Sequence, residues 1–135
     1  MQTFLPYPDF AESAYCLDRQ RLGKQRVEVL QLLRAINGET KGWRNHPAAR
    51  MWQPYLEALV EYGVYICEEW ISRGYRDNCR QQIIDQSWGH RVVMPSWLTH
   101  KFCRSHQSNL VRKNPQHYRP FFPDVPDNLP YVWPV

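Results

Sequence analysis

Residues 56–74 read LEALVEYGVYICEEWISRG. Leu56, Leu59, Val60, Gly63, Val64, Cys67, Trp70 and Ile71 recur at the spacing of one face of a 3.6-residue helix, and Arg73-Gly74 supplies a stop. The glutamates at 57, 61, 68 and 69 take other positions. A helix this long and this apolar on one side needs partners of its own kind. Working towards the N-terminus, Val27, Val29, Leu30, Leu32, Leu33 and Ile36 predict a second strong helix over Lys24–Ile36. Its polar stripe is Lys24, Glu28 and Gln31, and Asn37-Gly38 ends it with a left-handed cap. Asp9, with Glu12 three residues on, starts a helix whose buried stripe is Phe10, Ala14 and Leu17. Gly23 is expected to weaken or bend that helix, at about 1 kcal/mol relative to alanine.

Asn45-His46-Pro47 reads as a further start, because proline is tolerated in a first turn. Pro54 predicts either a kink or a short helix followed by the long one. Asp77 is placed as the cap of a short helix through Ile83 and Ile84, and Ser96 as the cap of one carrying Trp97, Phe102 and Leu110. Met1–Pro8 reads as extended chain punctuated by Pro6 and Pro8. The tail from Pro115 to Val135 holds six prolines and five aromatics (Tyr118, Phe121, Phe122, Tyr131 and Trp133). It is expected to form neither helix nor central strand, and to pack on the body through its rings. Period-two alternation is absent. The expected fold is all-α, a compact bundle of three main helices plus short ones. It forms a single domain over 1–135, with a helical body (1–114) and an ordered C-terminal wrap (115–135).

The chain has 135 residues, enough for one domain, and 43% are apolar, which excludes a disordered solvating chain. No apolar run approaches the roughly 20 residues of a membrane span, and no charged-then-apolar leader opens the chain. Cys16, Cys67, Cys79 and Cys103 contain no CxxC pair. They are read as reduced thiols of a cytoplasmic protein, with no metal site or other cofactor expected.

The net charge is only +4, but it is unevenly spread. No acid occurs between Asp85 and Asp124, where Arg91, Lys101, Arg104, Arg112, Lys113 and Arg119 stand with four of the five histidines. Arginine outnumbers lysine 13 to 4, which suits bidentate phosphate and base recognition. A polyanion-facing surface is the reading this segregation favours.

Four stretches are candidates for binding or chemistry. Residues 17–28, with Arg21, Lys24 and Arg26, could face phosphate; equally, Asp18–Arg21 and Lys24–Glu28 fit ordinary ion pairs on a solvated helix. Asn45, His46 and Arg50 lie at a helix start, where free amides attract anions, although helix capping by Asn45 accounts for the same stretch. Arg104, His106, Arg112 and Lys113 lie in the acid-free stretch. The aromatic tail offers either stacking surfaces or core cover. A fifth candidate is the terminal amine. An α-amine titrates near 8 and a lysine near 10.4, so the α-amine is the better imine-forming nucleophile at neutral pH. Gln2 is too large for ordinary methionine removal, so Met1 is expected to stay.

The block from Asp18 to Glu28, the His46–Asp77 segment with Ser72-Arg73-Gly74-Tyr75, and the basic helix before the tail resemble the pyrimidine-dimer DNA glycosylase family, the endonuclease V-like enzymes. Thr3-Phe4-Leu5-Pro6-Tyr7-Pro8-Asp9 and Leu22-Gly23-Lys24-Gln25-Arg26-Val27-Glu28 look like a bacterial branch of it. The resemblance implies a helical domain that binds damaged duplex DNA and cuts a glycosidic bond, with a second, lyase cut of the backbone. A terminal amine would attack the sugar C1′ with help from a glutamate on an early helix, arginines would hold phosphates, and no metal is needed. One departure stands out. Aligning the family's Leu-Pro-Arg on Leu22-Gly23-Lys24 puts Arg21 where the acid belongs, leaving Asp18 and Glu28 as acidic candidates.

The expected catalytic set is therefore Met1 or Lys24 as nucleophile, with Asp18 or Glu28 as acid or base. The expected DNA contacts are Arg21, Arg26, Asn45, His46, Arg50, Arg104, His106, Arg112 and Lys113. The expected partner is damaged or modified duplex DNA, bound by a monomer in the cytoplasm at the nucleoid. Two other classes remain: a non-catalytic nucleic-acid-binding module on the same scaffold, and an enzyme of free nucleotides, for which the basic stretch is oversized.

Overall fold

The computed structural model describes residues 1–135 and is all-helical. In chain order the elements are α1 (Phe10–Cys16), α2 (Arg19–Ile36), α3 (Pro47–Trp52), a 3₁₀ turn (Gln53–Tyr55), α4 (Leu56–Ser72), α5 (Arg80–Ile84), α6 (His100–Lys113) and α7 (Pro115–Tyr118). No helix is long and apolar enough to cross a membrane. The centre is the packing of α2 against α4, flanked by α1 and α5. Leu22, Val29, Leu32, Leu33, Leu59, Tyr62 and Ile66 are sealed there in one apolar core.

The long helix and the Asp9 cap follow the sequence, the Asp9 carboxylate accepting the Glu12 N–H at 2.9 Å. Pro54 indeed falls in a 3₁₀ turn between two α-helices. The first helix does not run on to Gly23 and bend there. It stops at Cys16, and Leu17 and Asp18 are extended, with ψ of 137° and 159°. Distant groups hold the break open. The Arg73 guanidinium donates to Leu17 O (2.8 Å) and Tyr15 O (3.0 Å), and the Asp18 N–H donates to the Tyr118 hydroxyl (2.9 Å). Gly23 instead lies inside α2, where a Cβ would stand 2.9 Å from the Trp70 ring, so glycine there permits close helix packing.

Three further expectations are corrected. Thr99, not Ser96, caps α6, its hydroxyl accepting the Phe102 N–H at 3.2 Å. Ser96 faces the Tyr55 hydroxyl at 3.1 Å. The tail begins with a helical turn, α7, because Pro115 sits where no donor is needed and the Asn114 side chain caps the His117 N–H. Tyr118 of α7 and, beyond it, Phe122 and Val125 are buried, while Phe121 and Trp133 stay exposed. Finally, Val27 and Ile71 face solvent, whereas Glu28, placed on the polar stripe, is buried. All four cysteines are buried and unpaired.

The opening segment is threaded into the molecule, and its backbone is tied down by side chains at almost every residue. Gln2 N–H donates to Glu28 Oε2 (3.2 Å), Phe4 N–H to Gln25 Oε1 (3.0 Å), Leu5 N–H to His106 Nδ1 (3.0 Å) and Tyr7 N–H to Ser13 Oγ (3.1 Å). Gln25 Nε2 donates to Gln2 O, Trp52 Nε1 to Thr3 Oγ1 and Gln107 Nε2 to Pro6 O. Extended chain without a sheet must find such partners or leave buried donors unpaired.

Candidate active site

This threading ends at a cleft of about 330 Å³ whose lining includes Met1, Arg21, Lys24, Gln25, Glu28, Lys113, Tyr131 and Trp133. Four kinds of element meet there: the N-terminal segment, the first three turns of α2, the end of α6 and the last residues of the tail. Glu28 is the one carboxylate among the lining residues, against the cations Arg21, Lys24 and Lys113 and the terminal amine. Its side chain is 11% exposed. Glu28 Oε2 accepts the Gln2 N–H, one residue from the amine, and Oε1 lies 3.6 Å from Lys24 Nζ. Lys24 itself is 76% exposed in its side chain.

Gln25 stands beside Glu28 as a clamp. Its carbonyl accepts from Phe4 N–H, with the Tyr62 hydroxyl 2.7 Å away, while its amide donates to Gln2 O. Sequence reasoning passed over Gln25. Its signal was the i, i+3 relation to Glu28 on one helical face.

His46 caps α3, its Nδ1 accepting the Ala48 N–H at 3.0 Å, a role the sequence had offered to Asn45. Its ring lies edge-on to Trp43 (centroids 5.3 Å) and to Trp133 (6.0 Å). Burial holds its basicity below the ordinary histidine value, the charge of the terminal amine adds to this, and Glu28 opposes it. His46 is thus within electrostatic reach of both groups at the cleft. A second recess, of about 210 Å³, is lined by Arg44, Asn45, Arg50 and Gln53. Arg44, Asn45 and Arg50 are exposed, and neither arginine joins any ion pair.

Other predicted site residues are held elsewhere. Asp18 does not line the cleft: its carboxylate accepts from Tyr118 and pairs with Arg21 at 3.3 Å. Burial alone would raise its pKa, but the Tyr118 hydrogen bond and the Arg21 charge outweigh it and leave the carboxyl below its ordinary value. Arg26 pairs with Asp77 at 2.6 Å and lies over the Trp70 ring, so it belongs to the packing between α2 and α4 rather than to a phosphate surface. His106 is corrected most sharply. It is wholly buried under Phe4, Phe102 and Tyr131, and burial pushes its imidazole down to about 3, so it is a neutral core residue and no phosphate ligand. Arg112 anchors the tail by donating to Asp127 O (2.9 Å), and also donates to Asn109 Oδ1 on its own helix. Arg104 and Lys113 are exposed on α6.

No curated protein and no solved structure gives a significant match to the chain. A family model, described as pyrimidine dimer DNA glycosylase, matches residues 1–83. The matched part carries Met1, Lys24, Gln25, Glu28 and His46, while Lys113, Tyr131 and Trp133 lie beyond it. With more than half of its length covered, including the amine end, the carboxylate and the clamp between them, the chain belongs to the pyrimidine dimer DNA glycosylase family of DNA repair.

Proposed function

We propose that the chain excises a damaged or modified base from duplex DNA through an imine and then cleaves the abasic strand, with the Met1 amine as nucleophile and Glu28 as its acid–base partner. The observation that carries this reading is the threaded N-terminus, which sets residue 2 against Glu28 in a cleft whose other charged lining side chains, Arg21, Lys24 and Lys113, are cations. The neutral amine attacks C1′ as the C1′–N bond breaks and the base departs with the bonding pair. The amine proton passes to Glu28, and from there to the sugar ring oxygen as the ring opens to the protonated imine. Glu28, a carboxylate again, then takes a C2′ proton, and the C3′–O bond breaks as the C2′–C3′ double bond forms, the 3′ phosphate leaving with the bonding pair. Arg21, Lys24 and Lys113 stabilise the phosphates flanking the sugar, with Arg44, Asn45 and Arg50 contacting the strand further out. Base extrusion is least costly at a lesion, where stacking is already weakened.

Borohydride reduction during reaction with duplexes carrying an abasic site, a pyrimidine dimer or other lesions tests this. A covalent protein–DNA adduct is expected, and peptide mapping should place it on the N-terminal peptide at the α-nitrogen of Met1. An adduct at Lys24 would move the nucleophile. No adduct on any lesion, with duplex binding intact, would leave a binding module and end the catalytic reading.

A further inference from the structure

The side-chain amide of Gln2 is the loose end of the network that threads the N-terminus. The polar groups around it are satisfied in turn. Gln25 holds Phe4 N–H and Gln2 O, Thr3 Oγ1 accepts from Trp52, and Glu28 accepts the Gln2 backbone N–H. The Gln2 side chain spends its oxygen on Thr3 N–H, at 3.0 Å. Only the oxygen of a carboxamide can accept from an N–H, so this bond fixes which way round the amide stands and leaves Nε2 as the free end. Gln2 is 8% exposed, and Nε2 is shut off from bulk water with no acceptor in the protein. A buried donor left unpaired has lost its hydration for no return, and each such group calls for a physical reason, a ligand or a catalytic role among them. Two other buried nitrogens share the condition, Arg26 Nε and His106 Nε2. Neither of those residues lines the cleft, whereas Gln2 does, together with Met1 and Glu28.

We infer that Gln2 Nε2 donates a hydrogen bond to the departing base, at the carbonyl oxygen beside the glycosidic bond (O2 of a pyrimidine), and so stabilises the leaving group. This rests on the imine reading above and supplies the group that reading lacks, one that meets the base itself. Residue 2 directly follows the nucleophile, so its side chain belongs to the surroundings of the C1′ that the amine attacks. The acceptors there are the phosphates, the sugar ring oxygen and the base. Arg21, Lys24 and Lys113 serve the first, and Glu28 delivers a proton to the second. As the C1′–N1 bond breaks, its electron pair passes to the base and spreads over N1 and O2. The amide shares that charge through its hydrogen bond and keeps its own proton, and water protonates the released base. A neutral donor fixed in place and out of solvent is suited to charge that develops only in the transition state. The Thr3 N–H bonded to the carbonyl end of the same amide polarises it and strengthens Nε2 as a donor.

The test compares duplexes of one sequence that carry a thymine dimer, a thymine glycol or a preformed abasic site. Gln2→Met removes the amide at similar length, and Gln2→Glu keeps an acceptor for Thr3 N–H but has no N–H to give. Both side chains are bulky enough to retain Met1, which intact mass checks, and circular dichroism checks the fold. Single-turnover glycosidic cleavage of the pyrimidine lesion is expected to fall by about 10²- to 10³-fold in each variant, with duplex affinity retained. Borohydride trapping on the abasic duplex, which has no base to expel, should fall far less. Equal losses on lesion and abasic duplexes would make Gln2 a structural tie for the amine and overturn the donor role. Variants that cleave the lesions like wild type would overturn it too. A wild-type protein that traps the abasic duplex but leaves both pyrimidine lesions intact would remove the donor role and leave the imine standing. No adduct on any of the three would end both.

Discussion

Glu28 on α2 and His106 on α6 are both buried, and their environments give them opposite uses. Glu28 keeps one oxygen on the Gln2 N–H and the other towards Lys24, open to a cleft that carries no other carboxylate. Glu28→Gln preserves an acceptor for Gln2 but cannot carry a proton between the amine and the sugar. Single-turnover cleavage of abasic duplex should fall by about 10²- to 10⁴-fold, with duplex affinity and melting temperature close to wild type. His106 has no access to solvent, and its Nδ1 accepts the Leu5 N–H. Its folded pKa, about 3, lies below the ordinary value of 6.5. Between those values the unfolded chain binds the proton and the folded chain does not, so stability rises with pH across the window and is fully regained above it. Acidification from pH 6.5 should therefore erode stability with a slope approaching about 1.4 kcal/mol per pH unit. Asp18 and Asp77 are both held below their ordinary 3.8, so their losses have the same sign but begin only under that value. Urea titrations at stepped pH separate the two. His106→Gln, which can still accept from Leu5, should flatten the curve between pH 6.5 and 4 and leave its lower limb.

At the scale of elements, the joint between α2 and α4 is set by how closely the two backbones approach. A Cβ on Gly63 would stand 2.7 Å from Val29 Cγ1 and 3.1 Å from Ile83, both of which are fully buried. Gly63→Ala should thus destabilise the fold by about 1 to 3 kcal/mol by overpacking, read as a lowered urea midpoint with unchanged slope. Periodicity reveals such helices because burial imposes it, and the existence of α2, α4 and α6 was legible for that reason, although the starts of α2 and α6 were not. The break at Leu17-Asp18 was not, since Arg73 and Tyr118, which stabilise it, lie 56 and 100 residues away. Local sequence favoured a bend at Gly23 because a glycine's conformational cost is visible in one dimension and its fit against Trp70 is not. The same limit governed the site. Met1, Lys24 and Glu28 were nominated and line one cleft, while Asp18, nominated as the acid nearest the position that the resemblance aligns on Arg21, is held by Tyr118 of α7. Gln25 and Trp43 gained their positions from contacts that no spacing encodes.

For the molecule as a whole, the +4 net charge matters less than which cations are already engaged. Arg26, Arg73 and Arg80 are paired with Asp77, Glu69 and Glu68 and serve the fold. Arg44 and Arg50 are exposed at one recess with no acidic partner, so they are available to neutralise phosphate and release its condensed counterions. The two kinds of arginine should separate in a salt titration. Log affinity for duplex should fall linearly with log salt, by about 0.9 per phosphate neutralised. Replacing Arg44 and Arg50 together with glutamine should make that slope shallower by about 2, across intact and damaged duplexes alike, with no change in melting temperature. Arg26→Gln should act the other way. It strands Asp77, which is 3% exposed in its side chain, and should cost about 3 kcal/mol of stability, while the salt slope of the protein that remains folded is unchanged. A slope that responds to Arg26 and ignores Arg44 and Arg50 would place the DNA on the wrong face of α2 and move the strand away from the cleft that holds Met1.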